Sequence, residues 1–278
     1  MLTSFKNNFL LHAILTLTAR HFQITRHNEA MQLPYNFNQI QEKHLQRTLS
    51  AFHTGLEKIH QERKYEDALV ATSLLLCFYA CAIQDFSPSA LVPSEDTSFI
   101  FLYGTRSLII HRAEASTGLM RHLIKRPECL SLFLARISPI SGPGERLINL
   151  INQLPTTSPS LDNKDMYVER VESLTVYFST LAAHAPDSES VERLSMCFLR
   201  WQAACPPAFM SLIRSCDPIA LIILAHFYAA AGFVQMKADN LWWWWQDKPK
   251  YMVETISEFL LPAWAEWLEW PIEVIRKF

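Results

Sequence analysis

The sequence has little glycine and little charge, and it lacks the short motifs that mark common nucleotide, hydrolase and metal sites. Only 6 of its 278 residues are glycine and 19% are charged, where about 25% is typical of globular domains. It contains no glycine-rich phosphate loop, no GxSxG elbow, no HExxH and no CxxC pair. We therefore expect neither a cofactor nor a bound metal, and no motif assigns an enzymatic activity.

Basic residues are too scattered to indicate a nucleic-acid interface. The formal net charge is −2, and the densest basic sites are the pairs Lys248 with Lys250 and Arg276 with Lys277. DNA binding depends largely on neutralising phosphates with lysine and arginine. We therefore expect no direct nucleic-acid binding.

Cysteine usage and hydropathy predict a cytoplasmic or nuclear protein. The six cysteines lack the dense spacing of a secreted disulfide framework, and the first residues do not resemble a cleavable signal. Two apolar runs, 68–83 and 218–234, fall short of the ~20 residues that a membrane span needs. We predict that both are buried helices.

Helical periodicity dominates what the sequence does contain. Half of the residues are hydrophobic, 15 prolines fall between apolar segments of helical length, and strand alternation is scarce. We predict one all-α domain over residues 1–278, with ten or more helices and two layers, 1–137 and 145–278. Asp217 and Pro218 should cap and begin a helix. The main predicted helices cover 8–26, 39–60, 65–84, 97–115, 164–184, 188–204, 218–237, 249–260 and 263–269.

A few polar and small residues stand out within these apolar helices. His12, His226 and Tyr228 are expected to find hydrogen-bond partners in the core, and would orient a ligand if a pocket exists. Gly104 lies inside a predicted helix, where close approach of another helix would explain it.

The stretch "LWWWWQDKP" places four tryptophans, 242–245, in succession. Successive helix positions point about 100° apart and strand positions alternate, so four adjacent indoles cannot share one face. Seven of the eight tryptophans lie between positions 242 and 270. Taken alone, this pattern favours aromatic anchors that fasten the C-terminal helices to the core. The alternative is that some of the rings wall an apolar cavity.

Four segments resemble the regulatory domain of fungal transcription factors of the sterol uptake control type, in the zinc binuclear cluster family. "LWWWWQDKPKYMVETISEFLLPAWAEWLEWPIEVI" is similar to the end of that domain, and "FLLHAILTLTARHF" to its opening helix. "YEDALVATSLLLCFYACA" and "SFIFLYGTRSLI" are similar to the next two helices. The resemblance implies an all-helical fold with an apolar pocket near the C-terminal helices, where sterol-sensing members bind a sterol. Ligand loss then permits nuclear entry and activation.

Under this resemblance, Trp242 and Trp243 occupy the family's paired-tryptophan positions. The family's zinc cluster is not found in this sequence, and its turn glycine is replaced by Trp244, Trp245, Gln246 and Asp247. We predict a pocket for a sterol or terpenoid, with Trp244 and Trp245 at its rim or against a partner. The predicted ligand-binding residues are Trp242, Trp243, Phe227, Met236, Met252 and Ile256.

Two further hypotheses remain open. The same pocket could serve a cofactor-independent cyclase or isomerase of a terpenoid or polyketide pathway, where orientation and exclusion of water supply much of the rate. Its candidate catalytic residues would be His226, Tyr228, Asp239 and His111. The chain could instead be a scaffold that pairs with a second copy or with another transcription factor.

Overall fold

Every regular element in the described part of the chain is a helix, so the predicted all-α class is confirmed. The chain divides into two compact units. Unit 1 comprises Met1–Gln84, Thr97–Arg126 and Trp243–Trp245, and unit 2 comprises Asp85–Asp96, Pro127–Trp242 and Gln246–Phe278. The computed structural model describes residues 7–58, 66–83, 102, 104–107, 142–155, 159–182, 198, 201–237, 243–245, 247–260 and 262–277.

Unit 1 is built on three long helices and one short one: α1 (Asn8–Thr25), α2 (His27–Gln32), α3 (Phe37–Lys58) and α4 (Glu66–Ile83). α1 packs against both α3 and α4. The core of unit 1 centres on Phe9, Leu10, Ala68 and Leu69, with Phe52 packed edge-on to Phe9. The three long helices were predicted to within two residues at each end.

The helices of unit 1 approach one another closely at Gly55 of α3. A Cβ atom there would lie 3.0 Å from Leu69 Cδ2 and 3.5 Å from Phe9 Cε1. The close contact expected at Gly104 is wrong, because Gly104 is exposed and an added Cβ would meet no atom within 4 Å. Close helix packing was therefore predicted at Gly104 but is observed at Gly55.

A chain of polar side chains also joins α1 to its neighbours. Gln41 donates to Gln23 Oε1 at 2.8 Å, and Gln23 donates to Asn38 Oδ1 at 3.0 Å. Arg20 donates twice to the carbonyl of Ala82, at 3.1 and 2.8 Å, near the end of α4. Because the last carbonyls of a helix lack intrahelical donors, Arg20 fastens α1 to the C-terminus of α4.

Unit 2 surrounds one buried helix, α8 (Pro218–Lys237), in which every residue from 219 to 232 is buried. By length and composition this helix alone, among the described residues, resembles a membrane span, yet most of its apolar stretch is buried inside the protein. Within the described part of the unit, it contacts five further helices. These are α5 (Pro143–Asn152), α6 (Lys164–Ala182), α7 (Pro207–Arg214), α9 (Lys248–Leu260) and α10 (Ala265–Ile275), and the 3₁₀ turn Pro159–Asn163 contacts α6.

The junction of α7 and α8 is fixed by local hydrogen bonds. Cys216 has a positive φ of 56°, and the N–H of Asp217 donates to Leu212 O at 2.9 Å, as in a Schellman helix end. Asp217 Oδ1 then accepts from the N–H of Ala220 at 2.9 Å, which confirms the predicted N-cap.

Two departures from the predicted helices have clear causes. α2, α5 and α7 were not predicted, because each has ten residues or fewer and so shows little periodicity. α10 was predicted to end at 269 but continues through Pro271 to Ile275. A proline inside a helix removes one backbone hydrogen bond. Here Pro271 is buried on the face that α10 presents to α8 and α9, so packing offsets that loss.

Candidate functional site

Within the tryptophan run, residues 243–245 form a turn that packs within unit 1. The ring of Trp243 lies 4.5 Å, centre to centre, from that of His21 on α1. The ring of Trp244 lies 4.6 Å from that of Phe78 on α4, and Trp244 and Trp245 stack at 5.5 Å. Trp243 and Trp244 thus contact different helices, as expected for adjacent positions, whereas the adjacent rings of Trp244 and Trp245 stack on each other.

Burial differs sharply along the run. Trp243 and Trp244 are half-buried, whereas Trp245 is 1% exposed. The expectation that Trp245 lies at a rim or against a partner is therefore wrong: it is a core side chain. Trp242 lies outside the described residues. Of the three described indoles of the run, Trp243 and Trp244 offer accessible aromatic surface.

The other predicted ligand-binding residues lie in unit 2 and are closely packed. Phe227 stacks on Trp201 with ring centres 4.4 Å apart and 15° between planes. Phe227, Met252 and Ile256 have no accessible surface, whereas Met236 is 38% exposed. A ligand would reach the three buried residues only if α8 and α9 moved apart. Their role in binding stays a prediction.

His226 is a core residue with the hydrogen-bond partner that the sequence led us to expect. Its Nδ1 lies 2.9 Å from Ile222 O, and its ring stacks on Trp270 with centres 5.4 Å apart and 12° between planes. Phe178 meets both rings edge-on. Burial, together with a smaller effect of the positive charge of Arg146, lowers the pKa of His226 to about 4, although the hydrogen bond to Ile222 O acts in the opposite direction. The imidazole is therefore neutral at physiological pH and donates through Nδ1.

Tyr228, the other catalytic candidate among the described residues, forms no accessible site with His226. Tyr228 is fully buried, with Lys248 Nζ 5.9 Å from its ring centre. His111 and Asp239 lie outside the described residues. Among the described residues, no group of three or more His, Cys, Asp and Glu side chains is placed to hold a metal ion.

A polar groove of about 610 Å³ lies between α1 and α3 of unit 1. Beside it, the Nδ1 atoms of His12 and His44 lie 3.0 Å apart. The sequence marked His12 as a polar residue in an apolar helix, but it carried no signal that His44 would face it. The groove is lined by Asn8, His12, Gln46, Arg47, Ser50, Ala51 and Thr54.

Comparison with known families finds a match for the first part of the chain. Residues 1–121 match the model of a family described as fungal specific transcription factor domain. This segment contains all four helices of unit 1, whereas the tryptophan turn and the described helices of unit 2 lie beyond it. No curated protein and no solved structure shows significant similarity to the chain. The match covers less than half of the 278 residues.

Proposed function

We propose that the chain is a regulatory domain that responds to an apolar small molecule of sterol or terpenoid type, bound against Trp243 and Trp244. The regulatory part rests on the family match over residues 1–121. The ligand part rests on one observation, the two half-buried indoles held against α1 and α4. A protein of this kind would act in the nucleus or the cytoplasm.

The tryptophan turn suits a flat, apolar ligand for physical reasons. An indole offers a large rigid surface that loses little conformational entropy on binding, and each buried aromatic side chain covers roughly 150–250 Å². Trp243 and Trp244 are already oriented by contacts with His21 and Phe78. A ligand that covers their remaining surface would gain apolar burial without reordering the turn.

The proposed site does not depend on the predicted ligand-binding residues of unit 2. Phe227, Met252 and Ile256 have no accessible surface, whereas Trp243 and Trp244 are only half-buried. Of the predicted set, Trp243 is therefore the residue on which a binding test should centre.

Binding can be measured on the full chain with a sterol delivered from cyclodextrin. We expect saturable quenching of tryptophan fluorescence and a higher melting temperature, because a ligand that binds only the folded state stabilises it. Trp243→Ala should weaken binding about tenfold or more, since it removes apolar contact area. Trp267→Ala is the matched control, because Trp267 is also half-buried but lies on α10 of unit 2.

Regulation can be measured separately by fusing the chain to a heterologous DNA-binding domain and recording a reporter in yeast. Sterol depletion should change the reporter signal, and Trp243→Ala should remove that response without lowering the amount of protein. Equal sterol binding by wild type, Trp243→Ala and Trp267→Ala would contradict the proposed site. A reporter indifferent to sterol would contradict the regulatory mechanism even if binding is observed.

No observation on the described residues favours the alternative, a cyclase or isomerase. Its two described candidates, His226 and Tyr228, are 3% and 0% exposed. A catalytic group must come within hydrogen-bond reach of its substrate, and neither side chain reaches an accessible surface. His226 and Tyr228 therefore contribute to the packing of the core.

A further inference from the structure

The polar groove between α1 and α3 differs in character from the tryptophan turn. Six of its seven lining side chains are polar or charged, and none of the seven is acidic. Asn8 and Gln46 carry amide N–H donors and Ser50 carries a hydroxyl donor, whereas the Thr54 hydroxyl already donates to Ser50 O at 3.2 Å. The groove therefore offers several donors but no negative charge.

The charge that dominates the groove is that of Arg47. Within the part of the chain that the structure describes, no carboxylate forms an ion pair with Arg47. The guanidinium presents its N–H donors in a planar fork that matches a carboxylate or phosphate. An oxyanion in the groove would supply the partner that Arg47 lacks among these residues.

The pair of His12 and His44 gives the groove a further hydrogen-bond donor, whose proton can change position when an anion binds. Because the Nδ1 atoms of His12 and His44 are 3.0 Å apart, one ring donates its proton and the other accepts it. When His12 is the acceptor, its proton lies on Nε2, which is then a donor. Burial lowers the pKa of both rings, and the positive charge of Arg47 lowers each further, with Lys43 also acting on His44.

We propose that this groove is a binding site for a small oxyanion, a molecule bearing a carboxylate or phosphate group, with Arg47 as its principal contact. Asn8, Gln46 and Ser50 supply neutral donors, and His12 supplies a donor whose protonation responds to the bound charge. The site does not depend on sterol binding at Trp243, which lies on a different element.

Histidine NMR signals of the full chain provide the test. The chain is titrated with sodium phosphate and, separately, with sodium acetate, while sodium chloride holds the ionic strength constant. The signals of His12 and His44 should shift saturably, and the anion should raise the pKa of His12 by about one. The signal of His53, an exposed residue that lies with His44 on α3, should not shift.

Substitution of Arg47 separates a built site from general ion effects. Arg47→Ala should weaken anion binding about tenfold or more. Arg26→Ala, another exposed arginine of unit 1, should leave binding unchanged. The anion that saturates at lower concentration indicates whether the natural ligand carries phosphate or carboxylate. Shifts that do not saturate, or that persist in Arg47→Ala, would indicate an adventitious ion only and would overturn the proposal.

Discussion

Acidification should destabilise this protein measurably through His226. Its pKa in the folded chain is about 4, below the ordinary value of 6.5, because burial disfavours the imidazolium. Between these two values the unfolded chain binds a proton that the folded chain does not. The contribution that neutral His226 makes to stability is therefore fully present above pH 6.5 and is lost as the pH falls toward 4.

The size of the effect follows from the two pKa values. A difference of one in pKa corresponds to about 1.4 kcal/mol, so the full loss is about 3.5 kcal/mol, on the order of the stabilisation from one well-buried side chain. Between pH 7 and pH 5 the expected loss is about 2 kcal/mol. Typical domains have only ~5–15 kcal/mol in total, so a change of this size is readily detected.

The assay is urea denaturation at pH 7 and pH 5, followed by far-UV circular dichroism. His226→Phe removes the titrating group but can keep the stack on Trp270 and the edge contact with Phe178. The loss of stability on acidification should be smaller in His226→Phe by about 2 kcal/mol. Comparing the two chains cancels the contributions of other histidines, including His12 and His44.

A matched control tests whether burial is the cause. His53 is 76% exposed and forms an i,i+4 contact with Glu57, so His53→Phe should leave the pH dependence almost unchanged. If wild type and His226→Phe lose the same free energy of unfolding between pH 7 and pH 5, the argument from burial is refuted.

Two further predictions concern packing and capping, and urea denaturation at pH 7 measures both. Gly55→Val should lower the free energy of unfolding by about 1–3 kcal/mol, because an added Cβ would already lie 3.0 Å from Leu69 Cδ2 and valine places two methyl groups beyond it. Gly55→Ala is the smaller control, and equal stability of the two variants would argue against steric conflict. Asp217→Ala should cost about 2–3 kcal/mol, because Asp217 caps α8 and accepts hydrogen bonds from Ser160 and Tyr167 at 2.8 and 2.9 Å. Asp217→Asn should retain more of this stability, and an Asp217→Ala variant as stable as wild type would contradict the capping role.

The sequence by itself determined the helical class and the ends of the strongest helices. α1, α4 and α8 begin and end within one residue of their predicted limits. The cap of α8 by Asp217 was also predicted correctly. These features depend on residues only a few positions apart, through 3.6-residue periodicity and capping side chains, and such interactions are present in the sequence as spacing.

Only the tertiary structure decided which of several similar residues is packed, which is exposed and which is paired. The sequence does not distinguish the four adjacent tryptophans from one another, yet Trp245 is buried while Trp243 and Trp244 keep accessible surface. His12 and His44 meet across two helices although 32 positions separate them. Each outcome depends on side chains brought from distant parts of the chain, and the spacing of residues within one helix does not specify which helix will lie beside it.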